Sequence, residues 1–339
     1  MKTMKTLLIA VLVCALLLAL AGCRASTAGP ETQAETEAQS ETAPEPEKTP
    51  ETEAQPEPAP AVTITDMAGR TVTLDEPATR VVALSAADCE ILYAVGAGDT
   101  LVGRGEYCDY PAEVLAIPSV QSGYETNLEQ ILALEPQVLL MSTMAQPQEQ
   151  VDALEKAGVR VVVSDAQDIE GVYTSVRMIG ALMGKDAEAE KVVGDMQSAL
   201  ASLAAEAKGD GSKSVYFEVS PLQYGLWAAG KGTFMDEVAV MLGLKNIFDD
   251  VDGWGEVSEE QVIARDPDYI VTISMYFGEG PTPEEEIASR AGWGEVSAVR
   301  DGHIMSVQNN ELSRPTPRIA DGARMLYDFV YGDAADAAA

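Results

Sequence analysis

Few side chains in this sequence are suited to covalent chemistry, and those few point to binding. A single histidine, His303, sits in Gly302-His303-Ile304. Any Ser-His or Cys-His pair would have to use it, and it stands at the start of a predicted strand, not in the late loop a triad needs. Zinc sites built from several histidines are excluded for the same reason, and no metal site is expected. Gly225-Leu226-Trp227-Ala228-Ala229-Gly230-Lys231 approaches a phosphate-binding loop, but Gly232 occupies the place of the Ser or Thr that would hold magnesium. The chain therefore reads as no enzyme and as needing no cofactor; a secreted α/β hydrolase and a surface protein-interaction module are the rival classes. Aromatic and charged residues stand near the ends of predicted strands or the starts of predicted helices, among them Tyr107, Tyr124, Trp227, Trp254, Glu311 and Arg314, with Arg318 nearby. Aromatics on converging loops suit a flat, largely apolar macrocycle or aryl chelate. The arginines could meet a carboxylate or phosphate, or equally cap the last helix and sheet.

Lys and Arg number 22 against 55 Asp and Glu, a formal charge of −33. That balance excludes nucleic acid as a partner, because phosphate binding needs clustered cations. Residues 1–22 read as a signal peptide: Lys2 and Lys5, then an apolar run from Leu7 to Leu20 that is short for a membrane span. Leu20-Ala21-Gly22-Cys23 resembles the bacterial lipobox, in which the cysteine is diacylated and becomes the mature N-terminus. Two acyl chains anchor a protein stably. Residues 23–60 carry nine Glu and no Leu, Ile, Val or aromatic residue, so they read as a lipid-anchored, disordered acidic tether. The expected location is the outer face of the cytoplasmic membrane, extracellular in a Gram-positive envelope and periplasmic otherwise. Lipid is the only membrane contact expected. Cys89 and Cys108 remain in the mature part, where an oxidising compartment leaves two outcomes, one bridge or two unpaired thiols.

The elements that must position these residues alternate. Val62–Thr65 and Thr71–Leu74 flank Asp66-Met67-Ala68-Gly69-Arg70 as a β-hairpin. Strand and helix patterns then follow in βαβ order up to Val163, implying a parallel sheet covered by helices. Ile169–Met183 and Ala187–Lys208 read as helices, and the alternation restarts at Ser214. A repeat at an offset of 131 residues relates Glu129-Gln130-Ile131-Leu132-Ala133-Leu134-Glu135-Pro136 to Glu260-Gln261-Val262-Ile263-Ala264-Arg265-Asp266-Pro267. That period is too long for a solenoid and indicates two similar lobes. The expected fold is α/β: two Rossmann-like lobes with mainly parallel sheets, joined by one long inter-lobe helix, with a ligand cleft between them. The boundaries are 61–167 for the N-terminal lobe, 168–208 for the helical connection, 209–332 for the C-terminal lobe and 333–339 for a tail.

Taken with the lipobox, Asp66–Arg70, Arg80-Val81-Val82-Ala83-Leu84-Ser85, Tyr107-Cys108-Asp109-Tyr110-Pro111, Asn127–Pro136, Ser258–Arg265 and Arg314-Pro315-Thr316-Pro317-Arg318 resemble one family. It is that of the helical-backbone (class III) substrate-binding proteins of ABC importers for cobalamin, ferric siderophores and haem. The resemblance covers about residues 62–330 and implies a bilobed, monomeric protein with a rigid inter-lobe helix, small hinge motion and no catalysis. It implies a permease dimer as partner, with Glu129 and Glu260 docking one on each lobe. The ligand it implies is a metal-containing chelate, with a corrinoid first and a ferric siderophore or haem as the alternative. Tyr107 and Trp254 stand where cobalamin binders place aromatics. Gly123 and Tyr124 depart from the tryptophan of that subgroup, as do Asn310 and Glu311 from its acid-plus-aromatic run.

Overall fold

The computed structural model of the chain describes residues 61–122, 126–143, 148–308 and 311–332. These residues lie within one compact unit, Pro56–Ala339. Signal peptide, tether and tail, with Cys23 and Tyr124, lie outside the described residues.

The chain opens with the expected hairpin, β1 (Val62–Thr65) and β2 (Thr71–Leu74). Its turn motif has a structural reason. The buried Asp66 carboxylate accepts from the main-chain N–H of Ala68, Arg70 and Val163 and pairs with the Arg70 guanidinium at 2.7 Å. One charge, fully hydrogen-bonded, closes the turn and pins the hairpin to the first lobe.

That lobe is built from β3 (Val81–Ala83), α1 (Ala86–Ala94), β4 (Leu101–Gly105), β5 (Ser119–Val120), α2 (Leu128–Ala133), β6 (Val138–Met141), α3 (Gln148–Lys156) and β7 (Arg160–Val163). Its sheet is parallel, in the order β5-β4-β3-β6-β7. Two helices follow, α4 (Ile169–Leu182) and α5 (Asp186–Glu206). The second lobe holds β8 (Ser214–Ser220), β9 (Trp227–Ala229), α6 (Phe234–Met241), β10 (Lys245–Asn246), β11 (Trp254–Glu256), α7 (Glu259–Arg265), β12 (Tyr269–Thr272), α8 (Pro283–Ser289), α9 (Ser297–Asp301), β13 (Ile304–Ser306) and α10 (Ile319–Tyr331). Its sheet runs β11-β9-β8-β12-β13, with β10 also beside β8; β9 and β11 are antiparallel additions to a parallel centre.

The central strands β3, β6, β8 and β12 are buried on both faces over most of their length, so they read as largely apolar runs. Alternate residues go to different cores. Val81, Ala83, Val138, Leu140, Val215, Phe217, Tyr269 and Val271 face one cluster that runs through α4, α5 and both lobes. Val82, Leu139 and Met141 face the outer helices of the first lobe, and Tyr216 and Ile270 those of the second. A core continuous across the junction resists bending.

The connection is a helical pair. α4 packs on α1 and β1 of the first lobe, and α5 packs on α4 and on α10 of the second. The 21 residues of α5 span about 31 Å, and Ala189, Val193, Met196, Leu200 and Leu203 form its buried stripe. The pair approaches so closely that a Cβ on Gly180 would lie 2.4 Å from the Ala189 methyl.

The repeat is structural. Asn127 caps α2 and Ser258 caps α7, each accepting from the N–H three residues on. Both units then pass through a non-glycine residue with positive φ, 49° at Glu135 and 44° at Asp266, before the proline. The following strands, β6 and β12, begin at matched positions.

Candidate functional site

A cavity of about 720 Å³ lies between the lobes, within the range of small-molecule sites. Its wall comes from the carboxyl ends of strands in both sheets. After β3 come Ser85, Ala86 and Ala87; after β6, Ser142; after β7, Ser164 to Gln167; α4 adds Ser175. The second lobe supplies Val219 and Ser220 at the end of β8, Ile273 after β12 and Ser313 to Pro315 after β13. Crevices outside the carboxyl ends of parallel strands are where α/β sheets bind ligands.

The aromatic surface belongs to the second lobe: Trp227 at the start of β9, Trp254 at the start of β11 and Phe234 opening α6. The Trp254 ring is tilted against Phe234 with centroids 5.5 Å apart, and its indole N–H donates across the cleft to Gln167 Oε1 at 2.6 Å. The third tryptophan, Trp293, is buried in the second lobe and donates to Glu259.

Arg314 and Glu311 are not placed as free ligand-facing charges. Arg314 reaches the cavity wall, yet its guanidinium donates to Glu90 (2.9 Å), to Asp109 (2.7 Å) and to the Tyr107 carbonyl (3.1 Å), all in the first lobe. Arg318 grips both oxygens of Glu90, pairs with Glu311 and lies 3.7 Å over the Tyr110 ring. Burial opposes the charge on Arg314, but its hydrogen bonds to Asp109 and Glu90 hold its pKa above the ordinary arginine value. The Arg314-to-Arg318 segment thus closes an inter-lobe ion-pair network. Tyr107 contributes its carbonyl to that network while its side chain is 57% exposed and stands outside the cavity wall.

Glu129 and Glu260 are exposed and occupy the second position of α2 and of α7, the same place in the two repeats. Main-chain N–H and the Ser258 hydroxyl hold the Glu260 carboxyl below the usual range. Cys89 in α1 and Cys108 after β4 are both buried, and the sulfurs of both approach the Ala83 carbonyl. Hydrogen bonding to Cys108, then burial, pushes the Cys89 thiol up.

Sequence reasoning missed most of the first-lobe wall, including Ser85, Ser142, Ser164, Asp165 and Gln167. The signal was available, since each directly follows a strand that periodicity located. Asp88 was missed altogether. It is fully buried in the first turn of α1, where the Ser85 and Ser164 hydroxyls act on its carboxyl without a well-aligned hydrogen bond to either oxygen. Burial pushes its pKa up to about 7, against the pull of the Ser164 and Ser85 hydroxyls and with a push from the Asp165 charge.

Two α/β lobes on a stiff helical pair, with a cleft at the carboxyl ends of their strands, define a bilobed ligand-binding protein. The chain belongs to the periplasmic binding protein family, whose sequence pattern matches residues 81–311. It is 32% identical to the uncharacterised ABC transporter substrate-binding lipoprotein YvrC of Bacillus subtilis, over 80% of this chain and 86% of that protein. It is 30% identical to the vitamin B12-binding protein of Salmonella choleraesuis, over 74% of this chain and 89% of that one. A solved structure from Staphylococcus epidermidis, described as a possible iron-binding periplasmic solute-binding protein, superposes with a TM-score of 0.64 at 30% identity. That match covers 76% of this chain and all of the other. Relatives in this family are binding proteins that serve ABC transporters.

Proposed function

We propose that this chain is the exported, lipid-anchored substrate-binding protein of an ABC importer, that it captures a corrinoid in the inter-lobe cleft, and that it delivers it to a permease dimer. The observation that carries the corrinoid reading is the charge and shape of the cleft. Trp227, Trp254 and Phe234 offer flat apolar area, while the one cation of the wall among the described residues, Arg314, is committed to Glu90 and Asp109. A ligand with several free carboxylates would meet no uncommitted counter-charge there, whereas a corrin ring bearing carboxamides needs none. The similarity to a vitamin B12-binding protein supports the same reading. Trp227 and Trp254 are the main ligand contacts. Glu129 and Glu260 are the docking charges, one per lobe, and their separation acts as a ruler for the permease. Cys23 is the lipidated residue.

Quenching of intrinsic tryptophan fluorescence by cyanocobalamin, haemin and ferrioxamine B ranks the ligands. Saturable quenching by cyanocobalamin at the lowest concentration supports the proposal. Saturation by ferrioxamine B or haemin alone would replace it with the iron-chelate reading, toward which the Staphylococcus similarity points.

A further inference from the structure

The first-lobe wall of the cleft carries a polar feature that the aromatic site does not use. Ser85, Ser164, Asp165 and Ser175 line the cavity together. The Ser164 and Ser175 hydroxyls are 3.3 Å apart, and the Ser175 hydroxyl meets the Met67 sulfur at 3.1 Å. The Thr143 hydroxyl donates to Asp165 Oδ2. Asp88, fully buried in the first turn of α1, lies against the Ser85 and Ser164 hydroxyls, and neither of its oxygens makes a well-aligned hydrogen bond. Buried polar groups are almost always paired, so a buried carboxyl whose neighbouring hydroxyls line the cavity couples its charge to whatever those hydroxyls meet there.

The geometry points to an acceptor subsite formed by Ser164, Asp165 and Ser85, with Asp88 as the positioning residue behind them, that takes a ligand group carrying N–H donors, a primary carboxamide or an alkylammonium. This deepens the reading of the cleft as a ligand site and rests on it. The N-terminus of α1, capped by Ser85, opens at this wall and would by itself favour an anion. Asp88 in its first turn already fills that role, and Asp165 adds a second negative charge. An anionic ligand group here would face two carboxyls, whereas an N–H donor would face acceptors. Asp88 acts through the hydroxyls. When ionised, it draws the protons of Ser164 and Ser85 towards itself and leaves their lone pairs to the cavity; when protonated, it donates its one proton to one of them and turns that hydroxyl's proton outward.

The groups acting on Asp88 are Ser164 and Asp165 from the segment after β7 and Ser85 from its own cap, with the Cys89 thiol beside it in α1; Ser175 of α4, bonded to Ser164, is uncharged. Because burial holds this carboxyl near neutrality, the subsite gains acceptor strength between pH 6 and pH 8.

The test uses the whole mature chain, four probes and two variants. Cyanocobalamin carries primary carboxamides, and cobyrinic acid presents carboxylates on the same ring. Ferrioxamine B carries amides and an ammonium, and haemin carries two carboxylates and no comparable donor. We expect cyanocobalamin to bind at least tenfold more tightly than cobyrinic acid, and Asp165→Asn to weaken the donor-bearing probe that binds by about tenfold or more. Affinity of the unaltered protein should rise from pH 6 to pH 8, and Asp88→Asn, with its fold checked by circular dichroism, should flatten that profile. Equal affinity for cobyrinic acid, preference for haemin, or unchanged affinity and pH profile in both variants would overturn the subsite while leaving a ligand-binding cleft. Failure of a folded protein to bind any probe would overturn the corrinoid and chelate readings and the subsite with them.

Discussion

Arg314, from the segment after the last strand, donates to the Glu90 carboxylate of α1 in the opposite lobe at 2.9 Å, and the two side chains are 5% and 2% exposed. Arg318 completes a bidentate grip on the same carboxylate. Removing one member of a buried pair leaves the other charge uncompensated, which costs about 3–5 kcal/mol. Arg314→Ala leaves Glu90 paired with Arg318 and is therefore expected to cost less, about 1–3 kcal/mol in chemical denaturation. Glu90→Gln should cost more and approach the full figure, because two buried guanidiniums then lose their shared negative charge. A loss below about 1 kcal/mol for both variants would show that the lobes do not depend on this contact.

Asp88 predicts an unusual pH dependence. Its folded-state pKa, about 7, lies above that of an ordinary Asp, so between roughly pH 4 and pH 7 the folded protein holds a proton that the unfolded chain has released. Its contribution to stability is full below pH 4 and is lost as the pH rises through 7, by up to about 4 kcal/mol. Asp88→Asn keeps the shape without the charge, so it should be more stable than the parent at pH 8 and flatten this part of the profile. Urea denaturation at pH 5 and pH 8 checks both statements.

Glu129 and Glu260 are exposed at matched helix positions and away from the cleft wall. Charge reversal of both, Glu129→Lys and Glu260→Lys, should abolish uptake by cells carrying the permease and leave ligand affinity within about twofold, since exposed charges contribute little to a distant site. A matching loss of affinity would place them in ligand binding.

Trp254 packs on Phe234 and holds Gln167 across the cleft, so its replacement removes ligand area and one inter-lobe bond together. Trp254→Ala should weaken binding by about ten- to a hundredfold in a fluorescence or calorimetric titration. Tyr107→Phe, at an exposed ring outside the wall, should change it by less than about twofold.

The architecture was legible because its signals are long or repeated. The hairpin and α4 lie where periodicity places them, and the 131-residue repeat exposes the two lobes. β9, β10 and β11 were missed because two or three residues cannot display an alternation, and their pairing, antiparallel for β9 and β11 and parallel for β10, depends on contacts distant in sequence. The site was legible only in part. Large aromatics such as Trp227 and Trp254 stand out by type, whereas Ser85, Ser164 and Asp165 acquire meaning only from the strands they follow. Arg314 is ambiguous in sequence because a charge near a cleft looks the same whether it faces ligand or a carboxylate such as Glu90, 224 residues away; in the structure it lines the cavity and pairs with Glu90.

The central claim is that a corrinoid occupies the inter-lobe cavity. Equilibrium dialysis of cyanocobalamin against the purified mature chain, with Ser220→Trp as a variant that fills the cavity from the end of β8, tests it most directly. The account predicts one saturable site per chain, lost in a Ser220→Trp protein that remains folded. No binding to the unaltered chain, or undiminished binding to the filled one, would contradict it.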